Sequence, residues 1–397
     1  MSEGTQPAPG VLDIFLVAGE ESGDRLGAAL MRALKERCGD NVQFSGVGGR
    51  EMTVAGIDSL HPIDDLALIG IREIPGRLTK IVRLIRQTAD AIVARRPHVL
   101  VIIDSPDFTC RIARRVRAQD PSIAIVEYVS PSVWAWRPGR ARALRRYVDH
   151  ILALLPFEPQ AHARLGGPPC SYVGHPLAAE IHQLRPNLEE ARRRLADPPV
   201  LLVLPGSRRG EIERHAAVFG EAVARLVGRV GALELVVPTP RHLRGEVERA
   251  AAHWPVKPRI VVEEAEKQAA FRIARAALAK SGTVTLELAL SGVPMAAAYR
   301  MSWIEAAIAR RIIKVPSVVL ANLVLGENVV PEFLQQDCAP GNLAQALLPL
   351  FSDTPQRRRQ LEAFARLDAV MEIGKASPAQ RAADIVLEVV RARRRPA

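Results

Sequence analysis

Four short segments carry the side chains with chemistry to offer. In Ala18-Gly-Glu20-Glu-Ser22-Gly-Asp24, two glycines that allow close backbone approach alternate with carboxylates and a hydroxyl. Asp104-Ser-Pro-Asp107 sets two carboxylates three residues apart, and burial or a like-charged neighbour can leave one of such a pair as a base toward a hydroxyl. Leu204-Pro-Gly206-Ser207-Arg208-Arg209 joins backbone freedom, a hydroxyl and guanidinium forks, the ingredients of a phosphate site. Ser281-Gly282-Thr283, in the segment that starts at Lys280, is a second phosphate cradle at a helix start, and Glu287, one turn further on, can accept hydrogen bonds from a ribose diol. Two such segments in one half of the chain suggest a nucleoside diphosphate lying across that half. Each also has a plainer reading, as a capped turn, a helix cap or a basic surface turn.

These segments need elements to hold them, and each follows an apolar run of strand length. Strands are expected at Leu12–Val17, Val99–Ile103, Ile123–Tyr128, Ile151–Leu155, Val200–Leu204, Leu233–Val237, Ile260–Glu263, Ala276–Ala279 and Met295–Tyr299, with helical patterns between them. That rhythm belongs to parallel sheets, where ligands bind beyond the carboxyl ends of the strands and helix N-termini favour anions. Gly46-Val-Gly48-Gly49 reads as a glycine turn, Trp134 and Trp136 sit in a loop able to flank a substrate or to pack a core, and His175 is a ligand contact or a turn histidine. The strands fall into two sets around a polar, proline-containing junction in 182–199. The expected fold class is therefore α/β with two Rossmann-like domains, residues 11–185 and 186–340. Residues 341–397 should form helices that pack back across the domains or onto a second copy in a homodimer.

Composition narrows the partners. The 397 residues include 54 Lys and Arg against 43 Asp and Glu, a net charge of +11 that calls for an anionic partner: nucleic acid, lipid or phosphorylated metabolite. Aromatics at 4% are too few for base-stacking platforms, so nucleic acid is disfavoured. No Gly-x-Gly-x-x-Gly, Walker lysine, His-Glu-x-x-His or Asp-x-Asp motif occurs, and the four cysteines contain no Cys-x-x-Cys, so no metal ligands and no resident cofactor are expected. No secretory leader and no spanning apolar run are evident, which predicts a cytoplasmic protein whose membrane contact is peripheral. Between Leu66 and Arg86, Leu78, Ile81, Val82 and Ile85 share one helical face and Arg77, Lys80 and Arg83 another. That pattern suits either a bilayer surface or a core-facing helix.

In combination the motifs resemble the lipid-A-disaccharide synthase family of bacterial glycosyltransferases. The resemblance rests on Val17 to Asp24, Gly46 to Gly49, Ile103 to Phe108, Tyr128 to Trp136, Leu155 to Glu158, Gly174 to Pro176, Leu204 to Arg208, Ser281 to Thr283 with Glu287, and Asn322 to Glu332, in family order. Thr109 and Ala321 depart from the pattern, standing where Asn and Pro are usual. The resemblance implies the GT-B fold, two Rossmann-like domains facing a cleft. It also implies inverting transfer of 2,3-diacylglucosamine from UDP-2,3-diacylglucosamine to 2,3-diacylglucosamine 1-phosphate (lipid X), without metal, at the inner leaflet of the cytoplasmic membrane. On this reading Asp107 is the base, Glu20 and Ser22 position a substrate, Ser207 and Arg208 neutralise the diphosphate, Ser281, Gly282 and Thr283 bind it, Glu287 holds the ribose, and Asn322 is a further nucleotide contact. The tryptophan loop argues against the nearest rivals, a cell-wall N-acetylglucosaminyltransferase and a UDP-N-acetylglucosamine epimerase. With lipid substrates in view, the Leu66–Arg86 segment is expected to contact membrane or acyl chain.

Overall fold

Apolar runs such as Val99–Ile103 and Val200–Leu204 are buried along their whole length, as strands must be when helices cover both faces of a parallel sheet. The computed structural model describes residues 10–63, 75–302, 305–306 and 315–394. It divides into two compact units, Met1–Pro176 with Lys375–Ala397, and Leu177–Gly374.

The first unit is built on a seven-stranded parallel sheet of order β3-β2-β1-β4-β5-β6-β7. Its strands are β1 (Leu12–Ala18), β2 (Val42–Val47), β3 (Asp58–Ser59), β4 (Val99–Ile103), β5 (Ala124–Tyr128), β6 (His150–Ala153) and β7 (Cys170–Tyr172). Alternate residues of β1 feed two cores. Ile14, Leu16 and Ala18 pack with the helix Glu21–Cys38 and the last helix, Pro378–Arg394, while Phe15 and Val17 pack on the other face with Ile85, Ala89 and Ile112. The second unit carries a six-stranded parallel sheet of order β10-β9-β8-β11-β12-β13. Its strands are β8 (Val200–Leu204), β9 (Glu234–Pro238), β10 (Arg259–Val261), β11 (Ala276–Lys280), β12 (Met295–Tyr299) and β13 (Glu332–Leu334). In each sheet the strand order reverses once, between β1 and β4 and between β8 and β11, and such reversals open the crevice where α/β proteins bind ligands.

Three expectations change. The stretch read as a glycine turn begins inside a strand, because Gly46 pairs with Leu16 within β2. The division between units lies at Pro176 rather than in 182–199. The helices Ile181–Leu184 and Leu188–Leu195 pack on the second unit, where Arg272 holds Glu190 at 2.7 Å and the Gln183 carbonyl at 2.6 Å. The third change concerns the basic amphipathic segment. Residues 66–74 lie outside the described residues, but in the helix Pro75–Arg95 Leu84 and Ile85 are core residues and Ile81 packs against them, while Val82 is 50% exposed. From Ile81 onward the buried side of this helix packs in the core beside β4 and the helix Pro106–Gln119, and the side chains of 75–78 lie outside the described residues. Among the described residues no helix is long and apolar enough to cross a membrane.

Candidate functional site

At the β1/β4 reversal two loops nearly fuse. A side chain at Gly19 would come within 2.5 Å of Ser105 Cβ, so only glycine lets them meet. Across the seam Ser105 Oγ donates to Glu20 Oε1 at 3.0 Å and Ser22 Oγ to Asp104 Oδ2 at 3.3 Å. Asp104 and Ser105 both take left-handed backbone angles (φ 53° and 44°), a strain of about 1–3 kcal/mol each that clusters at functional sites. Hydrogen bonds from Asp104 N to Tyr128 O and from Ser105 N to Asp104 Oδ1 hold the turn. That turn starts the helix Pro106–Gln119 with Asp107 in its first turn, two-thirds exposed, its Oδ1 accepting from Arg140 at 2.7 Å. The fold thus joins Glu20 and Ser22 into one hydrogen-bonded seam with Asp104 and Ser105, and sets Asp107 on the same loop beside an arginine. Asp24 is buried and caps the helix Arg50–Val54, accepting from Gly49 N, Glu51 N and Met52 N at 2.8, 2.9 and 3.0 Å.

Buried acids brace this end of the sheet. Glu158 accepts from Trp134 Nε1 at 3.1 Å and from Leu155 N at 3.0 Å, and burial pushes its carboxyl up to about 7. Trp134, edge-on to Phe157 at 5.0 Å, is thereby fixed as structure, whereas Trp136 is exposed with the Arg137 guanidinium 4.4 Å from its ring. Burial also pushes His175 down to about 4, which leaves it neutral near pH 7. Glu127 is 2% exposed, takes a hydrogen bond from Cys110 Sγ at 3.4 Å, and has an Oε2 with no partner among the described residues. Burial raises it to about 8, against relief from Cys110 and Arg140. A carboxyl whose folded pKa exceeds its unfolded one contributes stability that is complete below the unfolded value and is lost as pH rises through the folded value. The melting temperature should therefore fall between about pH 5 and about pH 9, and Glu127→Gln should shrink that fall by on the order of 10 °C. Thermal melts showing an equal fall in both proteins would exclude Glu127 as the cause.

At the β8/β11 reversal the second unit holds a cavity of about 380 Å³, lined among others by Gly206, Ser207, Lys267, Lys280, Thr283 and Glu287. Gly206 (φ 141°) bends the chain around Glu211, which accepts from Ser207 N at 3.0 Å and from Lys280 Nζ at 3.0 Å. Burial opposes ionisation of Glu211, but Lys280 and the Ser207 N–H overcome it and hold the carboxyl below its ordinary value. Arg208 precedes the helix Arg209–Val230 with its side chain 84% exposed and Nη1 4.0 Å from Glu211 Oε1. Gly282 and Thr283 line the cavity ahead of the helix Val284–Leu290. On that helix Glu287 lies 2.6 Å from Lys267; burial lowers the Lys267 ammonium, and Glu287 and Glu264 more than restore it.

Two of the expected nucleotide contacts make hydrogen bonds within the fold. Ser281 is buried, its N–H donating to Ala298 O at 2.9 Å and its hydroxyl to Val318 O, so it has no donor left for a phosphate. Asn322 is 1% exposed, with Nδ2 bonded to Val330 O and Glu332 Oε1 and Oδ1 accepting from Val329 N and Val330 N. It pins the turn before β13. Sequence reading also passed over residues that matter. Lys280 had one signal, a lysine ending an otherwise apolar strand. Lys267 and Arg140 had none, since each reaches its site from an element distant in the chain.

A family model described as lipid-A-disaccharide synthetase matches residues 14–386. A protein of Nitrobacter hamburgensis named lipid-A-disaccharide synthase is 61% identical over 383 residues, covering 96% of this chain and 97% of its own length. One of that name from Ruegeria pomeroyi is 42% identical over 393 residues, covering 95% of each chain. Among solved structures, a UDP-GlcNAc 2-epimerase from Neisseria meningitidis bound to UDP-GlcNAc superposes with a TM-score of 0.60 at 11% identity, covering 96% of this chain and 100% of its own. A glycosyltransferase from Rickettsia africae superposes at 0.58 and 12% identity, covering 98% and 100%. At such identities the likeness is one of fold, the GT-B arrangement of two parallel-sheet units.

Proposed function

The chain belongs to the lipid-A-disaccharide synthetase family and is a glycosyltransferase of lipid A disaccharide synthesis, and from that premise we propose its substrates and its mechanism. The donor is UDP-2,3-diacylglucosamine, the acceptor is 2,3-diacylglucosamine 1-phosphate, and the anomeric carbon inverts. In a single displacement the acceptor hydroxyl oxygen bonds to the anomeric carbon, its proton passes to a base, and the electron pair of the breaking C–O bond leaves on the diphosphate of UDP. Such a reaction needs a base on one side and stabilisation of a departing anion on the other.

The observation that carries this reading is the second unit's cavity, where cationic and N–H donors meet a carboxylate at the strand reversal. Arg208 and the turns at Gly206-Ser207 and Gly282-Thr283 take the diphosphate in this reading, and Glu287 takes the ribose. Asp107 serves as the base, supported by its exposure and its place on the strained turn after β4. Glu20 and Ser22 shape the seam beside it. Acyl chains partition at about 0.8 kcal/mol per buried CH₂, and basic side chains add about 1 kcal/mol each near an anionic surface, which puts the enzyme at the inner leaflet. The test is a mass-spectrometric assay with both lipids in detergent, with and without EDTA. Tetraacyl disaccharide phosphate and UDP are expected in both conditions. UDP stabilising the fold while no disaccharide forms would reject these substrates, and loss of product in EDTA alone would reject the metal-independent mechanism.

A further inference from the structure

Lys280 stands where the two glycine turns of the second unit converge. Its Nζ lies 3.0 Å from Glu211 Oε1 on one side, and on the other a side chain built at Gly282 would come within 3.5 Å of it. It is also fixed from below. The Tyr299 ring centre is 5.0 Å from Nζ, and that ring stacks on His215 with centres 5.9 Å apart. Arg300 N donates to His215 Nε2 at 2.8 Å, so Nδ1 carries the ring proton and donates to the Glu211 carbonyl at 2.7 Å. An ammonium at the last residue of a strand, part-buried and pinned by a buried carboxylate and an aromatic ring, is a charge held in advance for an anion rather than a mobile surface lysine.

We propose that Lys280 is the cation that binds the diphosphate of the nucleotide donor and stabilises it as a leaving group, with Glu211 as its positioning residue. This rests on the nucleotide reading of the cavity given above and adds to it the residue that supplies the fixed charge. Lys280 neither gives nor takes a proton. The electron pair of the broken C–O bond stays on the diphosphate oxygen, and the ammonium faces that growing charge. Glu211, already satisfied by Ser207 N–H, orients Lys280 and keeps the Gly206 turn closed.

Calorimetric titration of the whole protein with UDP and with uridine tests this. The ratio of the two dissociation constants isolates the diphosphate, because the base and ribose are common to both. Lys280→Met should weaken UDP about tenfold or more and leave uridine unchanged, the expected effect of losing one charge-assisted contact. Removing Lys280 alone leaves Glu211 buried and uncompensated, so the double variant Lys280→Met with Glu211→Gln guards against misfolding and should show the same selective loss. If the wild type prefers UDP to uridine and the folded variants keep that preference, Lys280 is excluded while the nucleotide reading stands. If the wild type does not bind UDP at all, the nucleotide reading falls and this assignment with it.

Discussion

Asp107→Asn is expected to lower kcat for disaccharide formation by about a hundredfold or more, since general base catalysis is worth roughly 10²–10⁴ in rate. Asparagine matches the carboxylate in shape but cannot take the acceptor proton. The side chain is 67% exposed and outside the core, so the substitution should leave folding nearly unchanged. The Arg140 contact gives a control that separates chemistry from structure. The amide oxygen of the variant side chain can still accept a hydrogen bond from Arg140, so the local geometry is kept while the base is lost. Steady-state kinetics beside a thermal melt decide the matter. A loss below about tenfold, with an unchanged melt, would remove Asp107 from the role.

Gly46→Ala is expected to cost about 4 kcal/mol or more of stability, at the upper end of what a single substitution does. Gly46 pairs with Leu16 across β1 and β2 at φ 150°, and a Cβ there would sit 1.8 Å from the Leu16 carbonyl oxygen and within 3 Å of the Leu16 carbonyl carbon and amide nitrogen. Both partners are backbone in the middle of a sheet, so neither side can yield without breaking the ladder. The damage should reach the site as well. β2 delivers Gly49 and Met52 to the Asp24 carboxylate, and Asp24 anchors the helix that begins just after Glu20. Urea unfolding measures the loss. A midpoint corresponding to less than about 1 kcal/mol would mean that the two strands do not approach as described.

Much of this was legible in the residues. Strands with continuous apolar runs announce themselves because a parallel sheet is buried on both faces, and Val99–Ile103, Val200–Leu204 and Met295–Tyr299 fall where the pattern sets them. The short strands were not legible. Cys170–Tyr172 and Glu332–Leu334 have three residues each, too few for any periodicity, and they exist because a neighbouring strand offers them hydrogen bonds. Among the residues proposed for the site, Ser22, Asp107, Arg208 and Glu287 could be named from type and spacing. Ser281 and Asn322 could be named too, but nothing in the chain reveals that Val318 and Glu332 return to bond their polar atoms.

By itself, then, the sequence determined the class of fold, the loops proposed to carry chemistry and the family, since those depend on local pattern and motif. The tertiary structure alone decided which loops become neighbours, through the order of strands that puts β1 beside β4 and β8 beside β11. It also decided which polar groups stay free. A hydroxyl or amide buried by folding must find a partner, and the partner comes from wherever the chain returns, as Glu211 and Lys280 meet across the strand reversal while Lys280 still lines the cavity. Spacing along a chain carries the type of a side chain but not its unoccupied hydrogen bonds, and those are what a substrate meets.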